Sequence, residues 1–514
     1  MARIGGIAVL ALAAAAGVAL LALRALRPPD APMTGSGVSV LLIVVDTLRA
    51  DALGVYGADP SNTPRLDEFA RGAAVFEHAV ASGPMTLVSF ASLLTGMYLP
   101  ANRVSYASTQ HSALDERHVT LAEALQGAGY RTAAFVGGGF LRPHFNFDQG
   151  FETYGFRTRE TRDIRGAIVA ADEWLEGIGD RPFFLMVHGM DPHRPYRPEV
   201  LPEPEPGYRP PDRDFAAGVL KHLEEGGSLD DYTPGELRIA VQTVEEDQRG
   251  VIKDLFKAMV RQEAALPELY NRRWAESPGY PQQLGWLRAL YDAEVREADR
   301  DVGAFLDRLA ERGKLDDTLV VFTADHGDAF MEHLTMGHRR AGQAELHVPL
   351  ILRPPPARGA EAAPRVAQVV RGIDLMPTML DYAGVDPPPQ VQGRSLRPLV
   401  EGASLPPLPA AAFGGTRVPE DAIREGRYKL IHRARARSAE FGDRLYDLES
   451  DPREQRDLKD EEPELFARLQ AELEATRAQS LQLGAAYGAV SELSPEDVES
   501  LRQLGYIADD DTAR

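Results

Sequence analysis

Residues 38–45 (VSVLLIVV) form an almost unbroken apolar, largely β-branched run. Such a run predicts a strand buried on both faces, hence a parallel sheet. Similar runs recur at 132–136, 183–187, 319–322 and 348–352. Between them lie helical periodicities, at 121–128 and over the long amphipathic stretch 288–309. Alternating strands and helices predict a doubly wound α/β/α domain.

The pattern changes at 201–280. Pro202, Pro204 and Pro206 open a loop, and polar helical stretches such as 244–259 follow. This segment reads either as an insertion covering the active face or as a peripheral subdomain. A Pro-rich stretch near 405 (LPPLP) marks a second boundary. After it, 427–431 (RYKLI) and 444–447 (RLYD) read as strands of a smaller sheet, and 461–481 as a charged helix. The expected organisation is a catalytic domain over 37–405 and a C-terminal α+β subdomain with a helical tail over 406–514. Ahead of both, residues 4–23 are an uncharged run of 20 residues between Arg3 and Arg24. That is long enough to span a bilayer, so 1–28 is expected to be a membrane anchor, with a cleaved signal segment as the alternative. The anchor predicts a place at the extracytoplasmic face of the cell envelope, or secreted or periplasmic if the segment is cleaved.

Charge and cysteine content narrow the chemistry. There are 56 Lys and Arg against 77 Asp and Glu, a formal net charge of −21. Such a surface repels nucleic acid, so no nucleic-acid partner is expected. An anionic substrate would need local compensation, for instance a bound cation. The chain has no cysteine, which excludes disulfides, thiolate metal sites and thiol nucleophiles.

Candidate chemistry gathers at strand ends. The first run ends in Asp46, the run at 183–187 leads into His188 and then Asp191-Pro192-His193, and the run at 319–322 leads into Asp325-His326. Open α/β sheets bind ligands at the carboxyl ends of their strands. Asp46, Asp325 and His326 are therefore a candidate shell for one divalent cation, whose oxygen and imidazole donors suit zinc or manganese better than calcium or magnesium. Residues 86–95, after Gly83-Pro84 and before Gly96, fit a helix with Thr86 at its N-terminus, where backbone N–H groups attract anions. On its own Thr86 reads as a helix cap. His188, His333 and His347 read as structural.

The segment Thr86-Leu-Val88-Ser89-Phe90 through Thr95-Gly96 resembles the sulfatase signature Cys/Ser-x-Pro-Ser-Arg, in which Thr-Gly follows with its Gly ten residues after the nucleophile. Further blocks resemble that family in order: Asp46-Thr47 through Asp51 and Gly57, Thr63-Pro64-Arg65-Leu66-Asp67, Asp191-Pro192-His193-x-Pro195-Tyr196, Tyr291 through Gly303, Asp325-His326-Gly327, Gly337-His338, Asp374 through Thr378, Gly393 through Leu396, Leu445-Tyr446-Asp447-Leu448 with Asp451-Pro452, and Leu501 through Tyr506. The chain is thus identified as similar to the sulfatase and alkaline phosphatase superfamily over about 37–510.

The resemblance implies an alkaline-phosphatase-like α/β/α sandwich with a mostly parallel sheet. It implies a metal site of Asp46, Thr86, Asp325 and His326, and catalytic roles for Thr86, His193 and His338. There are departures. Thr86 cannot supply the formylglycine that sulfatases proper make from Cys or Ser, Phe90 stands in place of the signature's Arg, and a Lys-x-His pair is not evident. A formylglycine hydrate has a second hydroxyl through which its ester collapses; a threonine ester must be cleared by attack of water or another acceptor. This favours phosphate or phosphonate (di)esters over sulfate esters. The expected substrate is an anionic ester, with envelope glycan or lipid as its source. An envelope phospho-group transferase and a non-catalytic protein binding an anionic glycan are the alternatives.

Overall fold

A computed structural model describes residues 33–487 and 491–492, except 105, 108–109, 158–162, 212–214, 244–266, 357–363, 415–419 and 434–441. Its centre is a nine-stranded sheet of β1 (Ser39–Val45), β2 (Ala74–Val80), β3 (Arg131–Gly137), β4 (Thr153–Arg157), β5 (Phe183–Gly189), β6 (Thr318–Thr323), β7 (His347–Val348), β8 (Leu350–Arg353) and β9 (Arg365–Arg371). The order is β7-β2-β8-β6-β1-β5-β3-β4, with β9 also paired to β2. The run β6-β1-β5-β3-β4 is parallel throughout, and β1 and β5 are buried along their whole length. This is the doubly wound core expected from the apolar runs.

One run behaves differently. Residues 348–352 are split at Pro349 into β7 and β8, and β8 lies antiparallel to both β6 and β2. Proline has no N–H to give a ladder, so a continuous strand is interrupted there.

The longer helices among the described residues are α1 (Pro64–Ala70), α2 (Thr86–Thr95), α3 (Leu121–Gly127), α4 (Ile164–Gly177), α5 (Phe215–Glu224), α6 (Pro234–Thr243), α7 (Pro267–Ala275), α8 (Tyr280–Glu311), α9 (Leu375–Ala383) and α10 (Pro463–Ala485). Helices α1, α4 and α8 pack as one layer, and α2, α3 and α9 as another. Thr120 starts α3 with a capping box closed by Glu123. The C-terminal part holds a four-stranded antiparallel sheet, β10 (Ala410–Ala412), β11 (Glu420–Glu425), β12 (Tyr428–Arg433) and β13 (Arg444–Asp447), with α10 against β11 and β12.

The expected insertion contributes α5, α6 and α7; its helical stretch at 244–259 lies outside the described residues. Helix α7 reaches the rest of the chain through Asn271, whose Nδ2 donates to the carbonyl of Leu334 at 2.6 Å. The expectation of a membrane anchor, and of the envelope placement that rested on it, is corrected. Among the described residues no helix is long and apolar enough to cross a membrane, and residues 4–23 lie outside the described residues.

Candidate active site

Three neighbouring strands deliver the first polar groups. Asp46 follows β1, His188 is the penultimate residue of β5, and Asp325-His326 follow β6 by one residue. Because β1 lies between β5 and β6, with Val44 paired to both His188 and Thr323, these ends converge. Asp46, Asp325 and His326 can each place a ligand atom within 4.8 Å of the others, and all three are buried.

Each carboxylate is half committed. Asp325 Oδ1 accepts from the N–H groups of Thr47 (3.2 Å) and His326 (2.9 Å), while its Oδ2 is buried without a hydrogen-bond partner. Asp46 Oδ2 accepts from Thr86 Oγ1 (3.3 Å) and faces His188 Nε2 (3.4 Å), while its Oδ1 is orphaned in the same way. Buried orphan oxygens are costly, which is the condition a cation relieves. The electrostatics agree. Burial and the neighbouring Asp46 push the Asp325 carboxyl up. Asp46 is held down despite its burial, by the facing His188 imidazole and the other histidines around it. The donor set therefore fits a divalent metal ion.

Thr86 is the first residue of α2 and is 7% exposed. The residue at the cap position is Met85, which makes no side-chain cap hydrogen bond, and Thr86 opens the first turn of α2, where N–H groups point at an anion. The capping reading of Thr86 is thereby replaced. Its Oγ1 also lies 3.4 Å from His326 Nε2. The tight entry to α2 needs Gly83: a Cβ there would stand 2.6 Å from Val88 Cγ1 and 2.9 Å from the Phe413 carbonyl oxygen. Ser89 Oγ donates to the Gly83 carbonyl at 2.8 Å. Phe90 is fully buried and meets the His188 ring edge-on, centroids 5.1 Å apart.

Three imidazoles share one arrangement. His326 Nδ1 faces the Gly327 carbonyl (2.9 Å), His193 Nδ1 the Arg194 carbonyl (2.6 Å) and His338 Nδ1 the Asp328 carboxylate (3.0 Å). Each acceptor calls for a proton on Nδ1, so in the neutral rings it is Nε2 that carries the lone pair. The rings form a cluster, His326–His338 at 4.5 Å and His338–His193 at 5.2 Å between centroids. Burial, with the charge of neighbouring His326, lowers the His338 pKa to about 3.

All six residues singled out from the sequence thus meet in one place. Asp191 Oδ2 accepts from Ile164 N at the start of α4 (2.6 Å). His333 faces Glu454 and His347 the Glu77 carbonyl.

Four participants were not foreseen. His188 read as structural, yet it faces Asp46; the signal was its place at a strand end beside β1. Asp328, buried, holds His338 through Oδ1 and faces Arg194 Nε through Oδ2 at 3.3 Å. Arg194 and His338 outweigh its burial and lower its pKa to about 2. Tyr291 of α8 braces the turn after Asp46.

The loop carrying His338 is pinned from three sides. Glu332 pairs with Arg49 (2.8 Å), His333 with Glu454 (2.9 Å), and the Leu334 carbonyl takes Asn271 of α7. Met331, His333 and Leu334 all have positive φ, which non-glycine residues adopt only when their surroundings impose it.

Comparison with known proteins places this architecture. The sulfatase profile matches residues 39–385, and the profile for the C-terminal region of N-sulphoglucosamine sulphohydrolase matches 332–479. An N-acetylglucosamine-6-O-sulfatase of Bacteroides thetaiotaomicron is 24% identical over 480 residues, covering 82% of each chain. A solved structure in complex with its substrate D-glucosamine-2-N,6-O-disulfate superposes with a TM-score of 0.63 at 22% identity, covering 88% of this chain and 100% of that one. The phosphonate monoester hydrolase of Agrobacterium radiobacter superposes with a TM-score of 0.60 at 21% identity, covering 86% and 96%. The chain belongs to the sulfatase family, within the alkaline phosphatase superfamily.

Proposed function

We propose that this protein hydrolyses an anionic ester of sulfur or phosphorus, with Thr86 as the attacking group and a divalent cation at Asp46, Asp325 and His326. The observation that carries this reading is the convergence of Thr86 Oγ1 with two half-committed buried carboxylates and the His326 lone pair. The sulfatase and phosphonate hydrolase relatives support ester hydrolysis as the reaction class. The donor set of two carboxylates and an imidazole suits manganese or zinc. When bound, the cation would supply Lewis-acid stabilisation of the ester's oxygens and favour ionisation of the threonine hydroxyl.

The chain's own residues divide the remaining work. Asp46 Oδ2 takes the hydrogen bond of Thr86 and so orients a lone pair of Oγ1 towards the ester. Thr86 gives up its hydroxyl proton to solvent, the bond from Oγ1 to sulfur or phosphorus forms, and the bond from that centre to the ester oxygen breaks. The first-turn N–H groups of α2 stabilise charge on the transferred group. His193 in its imidazolium form, with Nδ1–H held by the Arg194 carbonyl, gives its Nε2 proton to the leaving oxygen. His338, kept neutral by burial, accepts a hydrogen bond from the water that clears the threonine ester.

Thr86 carries one hydroxyl, so its ester must be cleared by an acceptor, which favours a phosphorus centre. The second reading is sulfate-ester hydrolysis, favoured by the sulfatase relatives. Para-nitrophenyl sulfate and bis-para-nitrophenyl phosphate, given to the full chain with manganese or zinc and to Thr86→Ala, decide between them. Turnover of either ester that Thr86→Ala abolishes supports the nucleophile. Equal turnover by the variant refutes it.

A further inference from the structure

The loop that carries His338 does not hold its own shape. Between Met331 and Arg339 the backbone has positive φ at Met331 (+73°), His333 (+52°), Leu334 (+54°), Gly337 (+98°) and Arg339 (+117°). Only Gly337 adopts such angles freely; at the others the surrounding structure must impose them. A short antiparallel ladder pairs Met336 and Gly337 with Phe330 and Ala329, and it ends immediately before His338.

Past His338 the chain is held by the C-terminal part. Glu420, the first residue of β11, accepts from Arg340 Nη1 through Oε1 (2.9 Å) and from the N–H of Ala341 through Oε2 (3.2 Å). Glu454, between β13 and α10, accepts from the N–H of Gln343 through Oε2 (2.8 Å), and the same oxygen faces His333 Nε2 (2.9 Å). Glu454 thus ties the two ends of the segment 333–343 together, and Glu420 holds its middle. Both carboxylates are buried, and each faces a cation of β12: Lys429 Nζ lies 2.7 Å from Glu454 and Arg433 Nε 2.8 Å from Glu420. Burial opposes ionisation of Glu454, but Lys429 and His333 outweigh it and lower the pKa to about 2. A buried, ionised carboxylate fixed to a sheet is a strong and directional acceptor for loop N–H groups. The His338 ring lies 4.5 Å from that of His326 between centroids, so a shift of this loop is a shift of the imidazole against the metal site.

We propose that Glu420 and Glu454 are positioning residues for His338, so that the C-terminal sheet sets where this imidazole stands in the active site. The part His338 plays in clearing the threonine ester is taken from the ester-hydrolase reading above, on which the inference rests.

A matched pair of double variants of the full chain tests this, Lys429→Met/Glu454→Ala and Lys429→Met/Glu454→Gln, each with zinc. Both lack the buried ion pair; only the glutamine version keeps an acceptor for His333 and Gln343. With the para-nitrophenyl ester that turns over, kcat of the alanine version is expected to lie about 10- to 100-fold below that of the glutamine version, the range for a misplaced catalytic group. Intact-protein mass after an acid quench is expected to show more Thr86 ester on the alanine version, because the step served by His338 is the one slowed. Equal kcat in the two versions overturns the proposal. So does a lower kcat without more covalent enzyme, which is what a mere loss of folded protein gives. Thermal melts check the fold. If the alanine version does not fold, Glu420→Gln against wild type carries the same two readouts, since the amide nitrogen gives one of Arg340 and Ala341 no acceptor. A second arm needs no turnover: the imidazole nitrogen-15 signals of His338, assigned with His338→Gln, are expected to differ between the alanine and glutamine versions. Identical signals overturn the proposal. If the wild type hydrolyses neither para-nitrophenyl ester, the hydrolase reading fails while the spectra still judge the clamp.

Discussion

The hydroxyl of Tyr291 donates to the carbonyl of Thr47 at 3.0 Å and accepts from the N–H of Arg49 at 2.9 Å. Between these contacts Thr47 sits at φ +56°, a conformation that a β-branched residue does not adopt unaided. The turn it forms aims Asp46 at the cluster. Tyr291→Phe should leave the fold intact and weaken metal binding about tenfold or more, as lost support behind a ligand commonly does. Metal titration of the purified variant measures this. An affinity equal to wild type would show that the turn holds Asp46 without the tyrosine.

Removing the metal exposes the repulsion between Asp46 and Asp325. Asp325→Asn should raise the melting temperature of chelator-treated protein, by about 1–3 °C, because one buried charge is gone. The same variant should lose the stabilisation that added metal gives the wild type, about 2.7 kcal/mol at a hundredfold excess over Kd. Calorimetric melts with and without metal check both. A variant that melts lower without metal would mean that the hydrogen bonds to Asp325 matter more than its charge.

Asp328 sets the proton position on His338. Asp328→Asn should lower kcat about 10- to 100-fold with a smaller change in KM for a simple aryl ester. Steady-state kinetics resolve the two constants. A change in KM alone would assign Asp328 to substrate binding rather than to positioning the imidazole.

Lys429 on β12 and Glu454 are both 2% exposed and in contact at 2.7 Å, and Glu454 also takes His333 and the N–H of Gln343. Lys429→Met leaves a buried carboxylate without its cation and should cost about 3–5 kcal/mol. Adding Glu454→Gln, which keeps an acceptor for the other two groups, should recover much of that loss. Urea unfolding of the single and double variants gives the comparison.

Two buried histidines make the fold acid-sensitive. Burial lowers the pKa of His347 and of His118 to about 4 from an ordinary 6.5. A lowered histidine pKa means that the unfolded chain takes up the proton first. Their contribution is complete above pH 6.5 and is lost as pH falls towards 4, at up to about 1.4 kcal/mol per pH unit for each. His347→Gln or His118→Gln should flatten the pH dependence of the urea midpoint in that window. An unchanged slope would locate the sensitivity in the carboxylates.

Much of the site was legible because strand ends and motif order are one-dimensional signals. Asp46, Asp325, His326, Thr86, His193 and His338 all follow a strand, open a helix or sit in a recognisable block. Asp328 and Arg194 were hidden because their roles depend on which loops meet, and that is decided by the sheet order. His188 was passed over because a histidine closing an apolar run looks like the start of a loop until β5 is known to lie beside β1. Pro349 was visible, but the antiparallel course of β7 and β8 was not, since a short apolar run looks the same in either direction.

The hydrogen bond from Asn271 to the Leu334 carbonyl ties the insertion to the loop that presents His338. The segment read as an insertion and the loop that positions an imidazole therefore share a mechanical joint. Grafting an insertion from a relative of different specificity would shift that joint unless residues 331–338 travel with it. A graft would therefore have to carry the two segments together, although some sixty residues of chain separate Asn271 from Leu334.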